Sequence, residues 1–284
     1  MTFEFGIAKH GDYAEVAGLC MRAVGKDDYV LPILRKIISA GGLFIALDGD
    51  RLIGITNYQK TLDGSGWMSS ARTDPDYRGK GVAGMLQKSI AQHARKEGVK
   101  DLRLWINKSN TPSIKAALRG DFYPLVEIAH VSKNVSKGIR RIESLQVYKF
   151  ENPSRSEIAD ILNSNYLRQM NGFFALNWQL VKSSDKVISS VARRGELYKS
   201  MRGDIFIIPK EHELWGDTQH NEFAPLMGPL NRSLNTIEIF SHMLGAGSIG
   251  TFLPFRSHYL ATARVRKYRA EDWGDHAILF EKII

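Results

Sequence analysis

The sequence has little cysteine and no long apolar run. Cys20 is the only cysteine among 284 residues, which excludes an intramolecular disulfide. Because Cys20 lies in an apolar helical stretch, residues 16–24, we expect a packed thiol rather than a nucleophile. No apolar stretch approaches the roughly 18 residues that a membrane-spanning helix needs. Residues 1–5 lack the basic and apolar regions of a signal peptide, so we expect a cytoplasmic protein.

Runs of basic residues are also missing, although the chain is basic overall. The net charge is +9, and most of the excess lies in residues 1–143, which hold 22 basic and 15 acidic residues. This distribution favours a polyanionic ligand in the first half of the chain. Five or six consecutive basic residues, typical of a nucleic-acid-binding tail, do not occur. Only the net charge suggests a nucleic-acid partner, and we expect none.

The first half has an alternation of apolar and turn residues that predicts the element order β-α-α-β-β-β-α-β-α-β. Two helices, at about 12–24 and 29–39, follow a short first strand. The tripeptide Asp48-Gly49-Asp50 predicts a hairpin between the next two strands. A strand at 67–73, a glycine-rich turn and a helix ending near residue 97 come next. This order predicts an α/β domain over residues 1–135.

The second half, residues 144–284, repeats this element order with weaker turn signals. We therefore predict a second domain there, joined to the first through the polar segment 133–138. Helical segments are predicted through Trp178 to about Arg193. The apolar and aromatic stretch 173–178 is expected in the core rather than in a ligand pocket.

The glycine-rich turn at residues 77–84 has the features of a phosphate-binding loop. It follows a predicted strand and opens a predicted helix, whose N-terminus carries unpaired amides and a partial positive charge. Small residues allow a phosphate to approach those amides closely, and Arg78 and Lys80 add positive charge. The predicted ligand is a pyrophosphate.

Two glycine motifs formally match a dinucleotide-binding fingerprint. The first, Gly79-x-Gly81-x-x-Gly84, needs an acidic residue at the end of the next strand, but residues 105–108 contain none. The second, Gly245-x-Gly247-x-x-Gly250, falls between a predicted helix and a predicted strand, which is the reverse of the required order. Neither motif therefore predicts a dinucleotide site, and the second is interpreted as a helix C-cap and loop.

The histidines have no spacing typical of metal ligands. His212-Glu213 begins like a zinc-protease helix, but position 216 is glycine. His220 is eight residues from His212. We therefore predict no metal site.

Residues 73–83 resemble the acetyl-CoA signature of the GNAT acetyltransferases, Arg/Gln-x-x-Gly-x-Gly/Ala. Downstream, Asn110-x-x-Ser113 followed by Phe122 resembles the Asn-x-x-Ala … Gly-Phe segment of that family. The resemblance extends from residue 3 to about 133 and includes the order of elements. It implies a mixed central sheet flanked by helices. By element order, the second half resembles a degenerate GNAT-like domain.

The resemblance also implies a set of contacts to acetyl-CoA. Amides from about Gly79 to Ala83 would hold the pyrophosphate, and the strand around Thr73 would pair with the pantetheine arm. Asn110 would lie near the pantetheine or the adenosine. The implied cofactor-binding residues are Ala71, Arg72, Thr73, Arg78, Gly79, Lys80, Gly81, Val82, Ala83, Gly84, Asn110 and Ser113.

The sequence departs from the family pattern at the catalytic acid. The family often places a tyrosine seven residues after the asparagine, where this chain has Ala117. Tyr123 is the nearby substitute, and water or the second domain are the other candidates. Asp28, Asp63 and Asp74 are conceivable general bases, but aspartate at such positions is typical of caps and turns.

The second half has no equivalent of the glycine-rich loop. Residues 228–233 take its place, and Pro229 has no N–H to offer a phosphate. We expect no CoA there, and we expect this half to form part of the acceptor site or to have a structural role. The C-terminal segment 273–282 resembles the closing strand of the fold.

These features together predict a cytoplasmic N-acetyltransferase that moves an acetyl group from acetyl-CoA directly to an amine on a small molecule or peptide. Direct transfer is expected because neither Cys20 nor any serine has the sequence context of a nucleophile. The alternative is a non-catalytic module that binds acyl-CoA and regulates another activity, which Ala117 motivates.

Overall fold

The computed structural model describes residues 3–135, 146–211, 213–215, 218–270 and 273–284. The chain divides into two compact units. Unit 1 consists of Met1–Ile106, Asn110–Pro124 and Phe280–Ile284. Unit 2 consists of Asn107–Ser109 and Leu125–Leu279. The predicted connection at 136–138, the start of the predicted strand at Leu145 and the zinc-like dipeptide at His212 lie outside the described residues or reach beyond them.

Unit 1 is built on a mixed sheet whose strands lie side by side in chain order. They are β1 (Glu4–Ile7), β2 (Leu43–Asp48), β3 (Arg51–Lys60), β4 (Gly66–Thr73) and β5 (Asp101–Asn107). Beyond β5 comes the part of strand β17 (Ala277–Ile283) that belongs to this unit. The first four strands pair antiparallel, whereas β4 and β5 run parallel.

The described part of unit 1 also has four α-helices. They are α1 (Tyr13–Ala23), α2 (Val30–Ser39), α3 (Val82–Lys96) and α4 (Thr111–Arg119). Apolar residues at helical spacing explain their docking. On α3, Val82, Leu86, Ile90 and Ala94 are all buried, as the four-residue repeat predicts. Cys20 on α1 is fully buried, and burial raises the pKa of its thiol to about 11, which confirms a packed residue.

The described part of unit 2 contains three sheets. The largest joins β6 (Tyr123–Asn134), which lies in this unit from Leu125 onward, to β15 (Ser248–Pro254), β13 (Thr218–Glu222) and β12 (Glu213–Trp215) in that order. The short strand β16 (Arg269–Ala270) also pairs with β6. A second sheet has the order β14 (Ala224–Met227), β11 (Ile205–Ile207), β10 (Leu197–Ser200) and β7 (Val147–Lys149).

The third sheet of unit 2 is a hairpin of β8 (Phe173–Leu176) and β9 (Gln179–Lys182). The helices of the unit are α5 (Arg155–Leu162), α6 (Asn165–Gln169), α7 (Asp185–Arg193), α8 (Leu230–Met243) and α9 (His258–Val265). The α/β class, with a mixed sheet flanked by helices, is therefore confirmed.

Two segments differ from the expected elements. The stretch predicted as helical through Trp178 forms the β8–β9 hairpin, because Asn177 and Trp178 both adopt positive φ (50° and 66°) and reverse the chain. All four residues of β8 are buried, which confirms the expected core position for residues 173–176, whereas Asn177 and Trp178 are half-buried. The strand pair predicted at 122–133 is the single strand β6.

Candidate active site

The glycine-rich loop lies between β4 and α3, with a short 3-10 helix (Pro75–Tyr77) leading into it. Asp74 caps that helix by accepting a hydrogen bond from the amide of Asp76 at 3.1 Å. Gly79 and Gly81 have φ of 79° and 84°, a left-handed conformation that glycine adopts without steric cost. Gly81 is the N-cap of α3, so the loop ends where the helix dipole begins.

Five backbone amides of the loop donate no hydrogen bond within the described part of the chain. Among the residues that the structure describes, no backbone or side-chain oxygen accepts a hydrogen bond from the N–H of Gly79, Gly81, Val82, Ala83 or Gly84. The amides of Lys80 and Met85, in contrast, donate within the loop, to Tyr77 and Gly81. Successive free amides at a helix N-terminus form a concave site suited to an anion.

The glycines of the loop have open space where a side chain would lie. A Cβ added to Gly79 or Gly84 would meet no heavy atom within 4 Å, and one added to Gly81 would meet only the Cε atom of Met85, at 3.5 Å. Two basic side chains are anchored beside this space. Arg78 donates to the carbonyl of Ala23 at 2.8 Å, and Lys80 lies over the ring of Tyr77 at 4.5 Å.

A close contact with β3 fixes the position of helix α3. Gly54 on β3 faces the first turn of the helix, and a Cβ there would lie 2.6 Å from Cγ1 of Val82 and 3.2 Å from Cδ1 of Leu86. Only a residue without a side chain allows the helix to approach the sheet this closely. The free amides of the first turn are therefore held in place by packing on β3.

Strands β4 and β5 separate before they reach the loop. They pair only at Gly66 and Trp67 within the described part of the chain. Ala71, Arg72 and Thr73 therefore lie on a stretch of β4 that has no ladder with β5. A bulge lies opposite Thr56, where Ser70 has φ of 56°. An unpaired strand edge of this kind can accept an extended ligand as an added strand.

Asn110 and Ser113 form the N-cap of α4. The side-chain oxygen of Asn110 accepts from the amide of Ser113 at 3.2 Å, and both residues are exposed or half-buried. This contact gives Asn110 a structural role in addition to the contact with a ligand that the resemblance implies. Ala117, at the position of the family tyrosine, faces the core of unit 1 and is fully buried.

Tyr123 is already engaged as a hydrogen-bond donor. Its hydroxyl donates to Glu281 at 2.6 Å, and this bond, with some burial, raises the pKa of Tyr123 to about 12. A tyrosine with a raised pKa gives up its proton less readily. The geometry therefore does not favour Tyr123 as a proton donor in the absence of a rearrangement.

The three candidate bases are each bound by arginine. Asp28 is fully buried and accepts from Nε and Nη2 of Arg72 at 2.7 and 2.6 Å. Asp63 accepts from Arg103, and Asp74 accepts from Arg22 and Arg51. Hydrogen bonds from a cation stabilise the charged carboxylate, which makes it a weaker base.

In unit 2, residues 228–233 take the place of the glycine-rich loop, and a carboxylate of the chain itself lies against them. Gly228 precedes Pro229 at the start of α8, and Asp204 lies beside it, fully buried. Oδ1 of Asp204 accepts from Ser233 at 3.1 Å and from Arg232 at 2.9 Å. An anionic ligand would have to displace or repel this carboxylate.

The fold of unit 2 brings together three residues that their spacing in the sequence does not relate, and one of them, His220, was considered above and rejected as a metal ligand. His130, His220 and Glu222 form a buried cluster, although 92 residues separate His130 from Glu222 in the chain. Their spacing in the sequence carries no metal-ligand signature, so only the strand pairing reveals the cluster.

Comparison with known proteins relates the site to one family. Residues 16–120 match the model of the family described as "Acetyltransferase (GNAT) family". A curated relative, mycothiol acetyltransferase of Actinosynnema mirum, is 28% identical over 101 residues, which are 35% of this chain and 34% of the relative. The match thus spans about a third of that relative's length.

Solved structures extend the similarity to the second half of the chain. A putative acetyltransferase from Thermoplasma acidophilum aligns over 100% of both chains with a TM-score of 0.63 and 15% identity. One from Pyrococcus horikoshii aligns over 99% of this chain and 89% of its own, with a TM-score of 0.59 and 13% identity. At these identities the similarity shows a shared fold, and it includes unit 2.

Proposed function

We propose that this chain, whose residues 16–120 match the model of the GNAT acetyltransferase family, is an N-acetyltransferase that uses acetyl-CoA to acetylate an amine directly. The observation that carries this proposal is the set of free amides of Gly79 and of Gly81 to Gly84 at the start of α3. Acetyl transfer is the activity of the family, and the donor, the amine acceptor and the site residues are our proposal.

In this proposal the loop binds the pyrophosphate of acetyl-CoA. The free amides donate to its oxygens, and the open space at Gly79 and Gly84 admits them. Arg78 and Lys80 supply positive charge at the same loop. Ala71 to Thr73 bind the pantetheine arm through the unpaired edge of β4.

Direct transfer fits the chemistry of the described residues better than a covalent acyl-enzyme. A cysteine nucleophile must be exposed and deprotonated, whereas Cys20 is fully buried with a raised pKa. The incoming amine must lose a proton and the departing thiolate must gain one. Because Asp28, Asp63 and Asp74 are bound by arginine and Tyr123 by Glu281, we assign both proton transfers to water at the site.

The second candidate function is a module that binds acyl-CoA without turning it over. The buried Ala117 and the engaged hydroxyl of Tyr123 favour this candidate, because both remove the usual proton donor from the site. It shares the phosphate loop with the first candidate, so binding alone cannot distinguish the two.

Turnover distinguishes them. Wild-type protein would be incubated with acetyl-CoA and a panel of amines, and free CoA thiol would be followed with a thiol reagent. The single buried cysteine contributes little background. We expect amine-dependent release of CoA for at least one acceptor class. Binding of acetyl-CoA with no release for any amine would contradict the enzyme proposal and favour the binding module.

A further inference from the structure

Three side chains with metal-binding groups meet on the main sheet of unit 2. His130 lies on β6, and His220 and Glu222 lie on β13. Strand β15 runs between these two strands and pairs with both, so Gly250 on β15 lies opposite Glu222 on one side and Ser132 on the other. The pairing brings the three side chains to one place.

The three groups are buried and close together. Nε2 of His130 and Nε2 of His220 lie 3.0 and 2.7 Å from the same oxygen, Oε1 of Glu222. The side chains of both histidines are 0% exposed, and that of Glu222 is 5% exposed. One donor atom from each residue lies within 4.8 Å of the others. Imidazole and carboxylate together suit zinc and other divalent transition metals.

Gly250 marks the point on which the three donor atoms converge. A Cβ built there would lie 2.6 Å from Oε1 of Glu222, 2.8 Å from Nε2 of His130 and 2.9 Å from Nε2 of His220. Its backbone does not adopt a left-handed φ, so conformation does not require glycine at this position. A Cβ position is one covalent bond from the Cα atom, too close to it for an ion, so an ion would lie farther from the Gly250 backbone, among the three donor atoms. Zinc bonds to nitrogen and oxygen are about 2.0–2.2 Å long.

Neighbouring side chains orient the two histidines, but one oxygen of Glu222 has no hydrogen-bond partner among the described residues. Nδ1 of His220 lies 2.9 Å from the hydroxyl of Ser248, a contact that fixes the imidazole ring. The ring of His130 lies against Trp178 and Trp273, with ring centroids 4.7 and 4.8 Å away. Oε2 of Glu222 is buried, and among the described residues it has no hydrogen-bond partner.

A purely hydrogen-bonded cluster explains this arrangement poorly. Both Nε2 atoms would have to donate to one oxygen of Glu222, while the other oxygen stays buried and unpaired. Leaving a buried acceptor unpaired is unfavourable. A cation among the three donor atoms would bind both imidazoles and the carboxylate at once, and the second oxygen of Glu222 could join them.

We propose that unit 2 binds one divalent transition-metal ion through Nε2 of His130, Nε2 of His220 and the carboxylate of Glu222. Both histidines coordinate in the tautomer that carries its proton on Nδ1, and Ser248 accepts that proton's hydrogen bond from His220. Because the ligands are buried, the ion stabilises the fold of unit 2. The proposal is independent of acetyl transfer.

The test is zinc binding by the full chain without a histidine tag. Protein dialysed against a chelator would be titrated with Zn²⁺ by calorimetry, and bound zinc would be counted by elemental analysis. We expect one tight site per chain and a rise in the midpoint of thermal unfolding. Glu222→Gln should weaken binding at least 100-fold, and Ser248→Ala should weaken it about tenfold. His258→Ala, which removes an exposed histidine of the same unit, should bind like wild type.

Two further measurements keep the result interpretable if a variant folds poorly. Circular dichroism would check that Glu222→Gln and Ser248→Ala retain secondary structure. The visible spectrum of Co²⁺ bound to wild type should show nitrogen and oxygen ligation in a low-symmetry site. Absence of a stoichiometric site in wild type, or equal zinc affinity in wild type and folded Glu222→Gln, would overturn the proposal.

Discussion

The three aspartates that the sequence offers as general bases have a structural role, because an arginine side chain binds each of them. Asp28 is the clearest case, because both of its oxygens accept from Arg72 and one also accepts from the amide of Val30. The sequence shows an aspartate before a helix, which correctly suggests a cap. It does not show the arginine, because Arg72 lies 44 residues away on β4.

Removing the charge of Asp28 should destabilise the protein in a pH-dependent way. Burial alone would raise the pKa of Asp28, but the hydrogen bonds and charge of Arg72 lower it below its usual value near 3.8. A lowered pKa gives stability that is present above about pH 4 and lost as the pH falls through the folded-state pKa. We expect Asp28→Asn to reduce the free energy of unfolding by about 3 kcal/mol at pH 7.

Chemical denaturation at pH 7 and at about pH 3 would test this, with the deficit of Asp28→Asn shrinking at the lower pH. Asp76→Asn is the matched control. It removes a carboxylate that also faces an arginine, Arg51, but is 70% exposed. Exposed pairs contribute about 0–1 kcal/mol, so the control should stay close to wild type. A deficit for Asp28→Asn that does not change with pH would contradict the account.

At the scale of elements, local signals predicted much of unit 1. The spacing of Val82, Leu86 and Ile90 gave the buried face of α3, and the glycines gave the loop before it. The β8–β9 hairpin escaped prediction because its turn, Asn177-Trp178, lacks the glycine that usually marks such a turn. The free edge of β4 was expected only from the family resemblance, since separation from β5 depends on tertiary packing.

The contact between β3 and α3 should control both stability and binding. In Gly54→Ala the new methyl group would meet Val82 at 2.6 Å, so the first turn of α3 must move away from the sheet. We expect a loss of about 1–3 kcal/mol in the free energy of unfolding. We also expect acetyl-CoA affinity to fall about tenfold, which corresponds to about 1.4 kcal/mol.

Denaturation and calorimetry on the same samples would measure the two effects. Gly11→Ala serves as the control, because a methyl group there meets no atom within 4 Å and the backbone is not left-handed. It should match wild type in both measurements. Wild-type affinity in Gly54→Ala would show that the position of α3 does not govern binding.

At the scale of the whole molecule, sequence order does not reveal which residues belong together. The last five residues, Phe280–Ile284, lie in unit 1, although more than 150 residues of unit 2 precede them in the chain. Phe280 is fully buried, and Glu281 binds the buried Arg103 at 2.8 Å. The amide of Ile284 donates to the carbonyl of Lys100. The cluster of His130, His220 and Glu222 is hidden in the sequence for the same reason.

Deleting residues 280–284 should therefore destabilise unit 1. The deletion removes a buried aromatic ring and one carboxylate partner of Arg103, and each change alone costs about 3–5 kcal/mol. We expect the free energy of unfolding to fall by at least about 4 kcal/mol. Ile283→Ser, which changes an exposed side chain in the same segment, should stay within about 0.5 kcal/mol of wild type. Equal stability of the deletion variant and wild type would contradict this assignment.

The central claim, that the loop at the start of α3 binds the pyrophosphate of acetyl-CoA, has a direct test in calorimetric titration of wild type, Gly81→Asp and Gly98→Asp. The two glycines have similar left-handed φ, 84° and 74°, but Gly98 lies beyond the opposite end of the same helix. We predict one acetyl-CoA site per chain in wild type. In Gly81→Asp the affinity should fall about 100-fold or more, because the new carboxylate repels the pyrophosphate at the free amides. In Gly98→Asp the affinity should change only a few-fold. Equal affinity of Gly81→Asp and wild type would contradict the account.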